Sequence, residues 1–366
     1  MTDPITQSMM QGAAGASGDK IYIDDVFSVD RWKGNSSSSR TISNGLDLAG
    51  EGGVVFIKST DYSSNWAVGD TVITGGYYMS CNNNDARTYN ANVIKSFKSN
   101  GFEIGPDSRV NSSSYEYFSY SFRKCEKFFD IVEFTGTGSV QNIPHNLGCV
   151  PGAIIVKAYD VHSRDWNYGH RMLNNGSNPW NYRMRIDSDG DKNNSQSYWD
   201  NTAPTATHFT VGTSGDINEN GTNFVAYLFA HEEASFGADG QQKLITCGNY
   251  QGNDGAQYVN AGSEGQLTII KNEDSNANWY VTDNVFRYGT CNANGSFTSS
   301  NSMQDAVARA FNVNNYSSGA ARVAAHADGF QIRSESQAIV NQSGNYYPFI
   351  NVYSSVGKRA KPPEVG

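Results

Sequence analysis

The sequence predicts an all-β protein: three tandem β-sandwich modules, jelly-roll-like, behind an extended N-terminal arm. Three observations predict it. First, one phrase occurs three times, an apolar run that ends in a lysine and is followed by a tryptophan. The copies are residues 54–58 with Lys58 and Trp66, 154–157 with Lys157 and Trp166, and 267–271 with Lys271 and Trp279. Second, the lysines lie 99 and 114 residues apart. That exceeds a solenoid repeat of roughly 20–50 residues and suits sandwich domains of roughly 100. Third, 12% of the chain is aromatic, with 21 tyrosines, and only 17% is charged. Asn, Ser and Gly dominate the remainder, and they make tight turns while Tyr, Phe, Val and Ile fill strands. Aromatic content this high argues against disorder.

Residues 1–20 form the arm, rich in Gly, Ala, Ser, Gln and Met and too poor in apolar residues to fold alone. Pro4, Ile5, Met9 and Met10 are its candidate docking residues. Modules are expected at 21–132, 133–237 and 238–357, with a tail at 358–366. Each opens with a Gly-rich turn: Gly34-Asn35, Gly136-Thr137-Gly138 and Gly252-Asn253. Each lysine strand is apolar on consecutive residues, so it is covered on both faces and central in its sheet. A Phe-x-Ile/Val seed follows at Phe102, Phe209 and Phe330, then an aromatic-alternating last strand at 115–122, 223–229 and 346–353. Residues 122–132 contain neither Gly nor Pro, so strand feeds strand and modules one and two pack rigidly. The second link, 234–240, holds two glycines and reads as looser. Residues 304–311 are expected to form the one short helix.

The net charge of −9 and the absence of a long basic block exclude duplex nucleic acid as a partner. No stretch approaches the roughly 18 apolar residues of a membrane helix, and no secretory signal is visible. Five widely spaced cysteines without a C-x-x-C indicate buried thiols, neither a disulfide framework nor a zinc site. No cofactor is implied.

The repeated tryptophans invite a carbohydrate-platform reading. A feature present in every module belongs first to the fold, however, so each tryptophan is expected to plug its own sandwich and each lysine to mark a strand end. Asp187, Asp189 and Asp191 resemble a calcium loop, but the glycine falls at the fourth position and Tyr198 stands at the twelfth. They remain a candidate metal site beside the reading as an ordinary hairpin turn. His145 beside Cys149 reads as a turn histidine, and His231-Glu232-Glu233 lacks the second histidine of a zinc protease. Neither G-x-S-x-G nor a P-loop occurs, so no enzyme is expected.

The stretch from Asp24-Asp25-Val26-Phe27-Ser28 through Gly52-Gly53-Val54-Val55-Phe56-Ile57-Lys58 resembles the opening of a repeat in tail-fibre-like virion proteins of marine tailed phages, including those of cyanobacteria. Phe122-Arg123-Lys124 to Val132, His145-Asn146-Leu147-Gly148 and Phe209-Thr210-Val211-Gly212 resemble its second repeat. The third module matches more loosely. Phe56 stands where that family usually has a tryptophan.

The resemblance implies a virion structural protein, assembled in the host cytoplasm, with no site residues to carry over. It implies attachment to other virion proteins through the arm, contact with a host glycan or protein, and a homotrimer. The alternatives are a capsid or tail decoration protein and, less favoured, a polysaccharide depolymerase.

Overall fold

The computed structural model describes residues 20–73, 75–283, 322–334 and 336–354. The arm residues Pro4, Ile5, Met9 and Met10, the expected helix at 304–311, Cys291 and the tail lie outside them. The described chain is all-β. Module 1 holds β1 (Phe27–Lys33), β2 (Arg40–Ser43), β3 (Gly53–Ser59), β4 (Ala67–Asp70), β5 (Tyr77–Tyr78), β6 (Thr88–Tyr89), β7 (Ile94–Lys98), β8 (Gly101–Ile104) and β9 (Glu116–Arg123). Module 2 holds β10 (Phe129–Thr135), β11 (Gln141–Pro144), β12 (Ala153–Ala158), β13 (Asn167–His170), β14 (Tyr182–Arg185), β15 (Asn193–Asn194), β16 (His208–Val211) and β17 (Asn223–Phe229). Module 3 holds β18 (Ile245–Gln251), β19 (Gln257–Asn260), β20 (Gly265–Ile270), β21 (Tyr280–Asp283), β22 (Val323–His326), β23 (Gly329–Ile332) and β24 (Tyr346–Tyr353).

Each module repeats one plan. A large antiparallel sheet runs β1-β9-β3-β4, β10-β17-β12-β13 and β18-β24-β20-β21, the second extended by β14 and β15. A small sheet lies across it, β2-β8-β7, β11-β16 and β19-β23-β22. Pairing first strand with last, and second with second-last, is the nesting of a jelly roll. The inner strands depart from it, because β3–β4 and β7–β8 close as hairpins.

The lysine strands β3, β12 and β20 are interior, and every residue in them is buried. The reason is two cores. Val55 and Ile57 face the small sheet of their own module, with Trp32, Phe102 and Tyr117. Phe56 faces the other way, into a core shared by all three modules with Ile155, Trp166, Tyr227, Ile269 and Trp279. The modules are therefore packed around one another and not strung out as beads. On the shared axis, twelve apolar side chains from all three modules enclose a cavity of about 20 Å³.

Two expectations change. The boundary at 132/133 would cut β10, which pairs along its length with β17 of module 2; the joint lies between Arg123 and Phe129. The second link is not loose either. Phe236 is buried in the shared core, Gly237 donates its N–H to Ile21 O at 2.8 Å, and Glu232 donates to Ile245 O at 2.8 Å.

Candidate functional site: the joints between modules

The repeated lysines and tryptophans meet at the joints. Lys157, at the end of β12, donates Nζ to Arg164 O at 2.8 Å and to Asn84 O of module 1 at 3.5 Å. Trp166, just before β13, donates Nε1 to Ser80 O and Asn83 O of module 1, both at 3.1 Å. One module on, Lys271 donates Nζ to Asn272 O at 2.8 Å and to Asp189 O of module 2 at 3.1 Å. Trp279 donates Nε1 to Arg185 O at 2.9 Å.

Backbone bonds repeat the pattern. Arg164 N–H reaches Asn84 O and Ala277 N–H reaches Asp189 O, while Arg87 N–H reaches Tyr159 O and Lys192 N–H reaches Glu273 O. In both joints one loop of a module is gripped by the lysine and tryptophan of the next. Lys58 and Trp66 are buried at the equivalent places of module 1. The loop of module 3 that corresponds to the gripped loops lies outside the described residues.

The expectation that each tryptophan plugs its own sandwich is therefore corrected. Trp66, Trp166 and Trp279 sit in the shared core, on the sheet face away from the module's own small sheet. Trp66 packs edge-on to Phe118 at 5.5 Å and Trp279 edge-on to Tyr168 at 5.1 Å. A platform for sugars must be exposed, and these rings are not. The lysines are sealed too. Burial pulls the Lys157 and Lys271 ammonium groups down to about 8, opposed by nearby carboxylates.

A second set of contacts crosses the shared core. Tyr227 of β17 donates its hydroxyl to Asp70 of β4 at 2.5 Å, and Tyr120 of β9 donates to Asp283 of β21 at 2.7 Å. The third equivalent pair is Ile350 of β24 and His170 of β13, by strand register. His170 is fully buried and lies 3.2 Å through Nε2 from Phe349 O, and burial holds it down at about 3, so it is neutral. Asp70 also accepts the N–H groups of Val72 and Ile73, and burial raises its carboxyl above the ordinary range. Module 3 thus closes the ring on module 1.

Sequence reasoning missed a third set. Asn111, Asn218 and Asn341 are fully buried just ahead of each last strand. Asn218 Oδ1 accepts Thr137 N–H at 2.9 Å and the Gln141 amide at 2.8 Å, while Nδ2 donates to Ser139 O and Gly212 O. Asn341 repeats this with Asn253, Gln257, Gly255 and Arg333. Each asparagine ties the opening glycine turn to the closing loop. A Cβ on Gly34, Gly136 or Gly252 would come within 1.9, 2.2 or 2.3 Å of a carbonyl oxygen just after the asparagine, so only glycine fits. The signal was an apolar-Asn pair repeated at 110–111, 217–218 and 340–341.

Asp187 Oδ1 accepts Trp166 N–H at 3.3 Å, and burial with the neighbouring Asp165 charge pushes its carboxyl up to about 6. Asp189 and Asp191 are exposed, and Asp189 serves the joint through its backbone oxygen. Among the described residues no three His, Cys, Asp or Glu side chains are grouped to hold a metal ion.

His145 Nε2 donates to Thr205 O while Nδ1 accepts Leu147 N–H, and burial raises the Cys149 thiol to about 12. His145 thus holds a loop. His231 Nδ1 accepts Cys247 N–H, and Glu232 pairs with Lys243.

A family model described as a domain of unknown function, DUF7483, matches residues 24–354. The chain belongs to the DUF7483 family. No curated protein and no solved structure matches it. The match runs from the start of module 1 to the last strand of module 3, so the DUF7483 domain covers the whole three-module ring.

Proposed function

We propose that this DUF7483 chain is a non-enzymatic structural protein of a tailed-phage virion, carried on the particle surface as a tail-fibre-like adhesin. The observation that carries the reading is the ring of joints. The residues that recur from module to module hold the modules to one another, and the outward loops are left to Asn, Ser, Gly and Tyr, an adaptable contact vocabulary. The resemblance to virion proteins of marine phages supports the same reading. On it, residues 1–18 dock the protein to the particle, copies gather as a homotrimer, and weak single contacts with the host gain through multiplicity.

The test is a phage whose copy lacks residues 1–18. The truncated protein is expected to fold and to be missing from purified particles; normal incorporation would overturn the docking role. The compact ring also favours a second reading, a capsid or tail decoration protein. Immunogold labelling decides between them: gold on tail tips supports the adhesin, and gold on heads or along the tail tube supports decoration.

A further inference from the structure

We propose that module 1 carries a binding cleft for a neutral pyranose sugar, lined by Tyr77, Phe97, Ile94, Thr71 and Ser96 with Tyr89 beside Tyr77. Modules 1 and 2 differ at one place in the sandwich. Gly69 of β4 and Gly169 of β13 are equivalent by strand register. On Gly169, module 2 packs Trp180 and Trp199, whose rings would lie 2.5 and 2.9 Å from an added Cβ. On Gly69 of module 1 the three nearest atoms all belong to the smaller Ile94, the first at 2.6 Å. Beside Ile94 the sandwich stays open as a cleft of about 300 Å³. That is the lower end of small-molecule sites, roughly 300–1,000 Å³.

The lining suits a sugar. A pyranose has an apolar C–H face and a rim of hydroxyls. Tyr77, Phe97 and Ile94 offer apolar surface, and Thr71 and Ser96 line the same cleft, the Thr71 hydroxyl accepting Gly53 N–H and the Ser96 hydroxyl donating to Glu103, both at 3.1 Å. Tyr89 adjoins two of the lining residues, Tyr77 and Gly76. It is 63% exposed, lies edge-on to Tyr77 at 5.2 Å, and its Cε2 would sit 3.3 Å from a Cβ on Gly76.

The Tyr77 ring is held in place by the Arg87 guanidinium, 4.5 Å above it, which also lies 4.7 Å from Tyr159 of module 2. A rigid aromatic wall loses little freedom on binding. The charged groups in the lining have other partners: Lys95 Nζ donates to Ser38 O at 3.0 Å, and Asp70 accepts from Tyr227 and two backbone N–H groups. Asp70, satisfied within the fold, calls for no cationic ligand, and Lys95 keeps N–H donors that sugar hydroxyls can accept.

The inference deepens the adhesin reading by naming a ligand class, but the cleft's chemistry stands apart from where the protein sits. The experiment titrates the full chain with glucose, galactose, mannose, rhamnose and N-acetylglucosamine, read by saturation-transfer NMR. At least one is expected to bind in the millimolar range. Tyr89→Ala, at an exposed position, is expected to weaken it at least fivefold, and Tyr77→Ala at least tenfold. If Tyr77→Ala fails to fold, Tyr89→Ala decides alone. No binding by any of the five sugars, or binding unchanged in Tyr89→Ala, overturns the proposal. Sugar binding by a chain that does not compete with phage for host cells supports the cleft and counts against the adhesin reading only.

Discussion

The hydroxyl of Tyr120, in the first module, reaches the carboxylate of Asp283, in the third, at 2.7 Å. The two residues are 163 positions apart, yet both are buried on the shared axis. This bond closes what the sequence presents as an open row. Removing it leaves a buried acceptor without that donor, which costs about 1–3 kcal/mol. Tyr120→Phe and Tyr227→Phe are each expected to lower the stability in urea by that amount. The double variant is expected to lose the sum, since Asp283 and Asp70 are separate acceptors.

The tryptophan joints give a larger effect. Trp279 is buried in the shared core and bonded to Arg185 O across the joint. Trp279→Ala removes a large ring from a packed interior, at about 3–5 kcal/mol. Because the ring belongs to the joint, calorimetry is expected to show a single transition broadening or splitting as module 3 uncouples from module 2. A uniform shift of one sharp transition would contradict the joint role.

Glycine positions separate close approach from mere conformation. Gly136→Ala puts a Cβ 2.2 Å from Glu219 O. Gly221 has φ +78° and nothing within 4 Å of its Cβ position, so Gly221→Ala costs only the left-handed backbone, about 1–2 kcal/mol. Gly136→Ala is expected to be clearly the worse of the two, and Asn218→Ala to resemble it. Thermal melts of the three variants check the order.

Asp187 gives a pH signature. Its folded carboxyl titrates near 6, above the 3.8 of a free side chain. The folded state therefore holds the proton longer than the unfolded chain. The stabilisation is complete below about pH 3.8 and is lost as pH rises through 6. The full swing is at most about 3 kcal/mol. Asp187→Asn keeps an acceptor for the Trp166 N–H and removes the charge. Compared with wild type, the variant is expected to gain stability at pH 7 relative to pH 4.5, measured by urea midpoints. Equal pH dependence in both proteins would sink the assignment.

Much of the fold was legible because strand chemistry leaves a pattern. Consecutive apolar residues before Lys58, Lys157 and Lys271 announced central strands, and the repeated phrase announced the modules. That same burial on both faces hid which face each tryptophan takes. Residue 56 points to the shared core and residues 55 and 57 to the module's own, with no difference in polarity between them. The gripped loops were illegible for another reason. Ser80, Asn83, Asn84, Arg185 and Asp189 receive the next module through backbone oxygens, and a carbonyl has no side-chain signature. Asn111, Asn218 and Asn341 were lost among many turn asparagines. The module 1 cleft arises from side chains present in one module and missing in another, and repeated residues do not mark it.

The pairing of Ile350 with His170, where the other two places have tyrosine with aspartate, makes the three slots of the ring chemically unlike. A copy of module 1 seated in the slot of module 2 would set the Asp70 carboxyl against Ile350, with no hydroxyl to receive it. The structure thus carries its own assembly key. Modules that take one another's slots while folding meet a buried mismatch, and only the order written in the sequence closes without one.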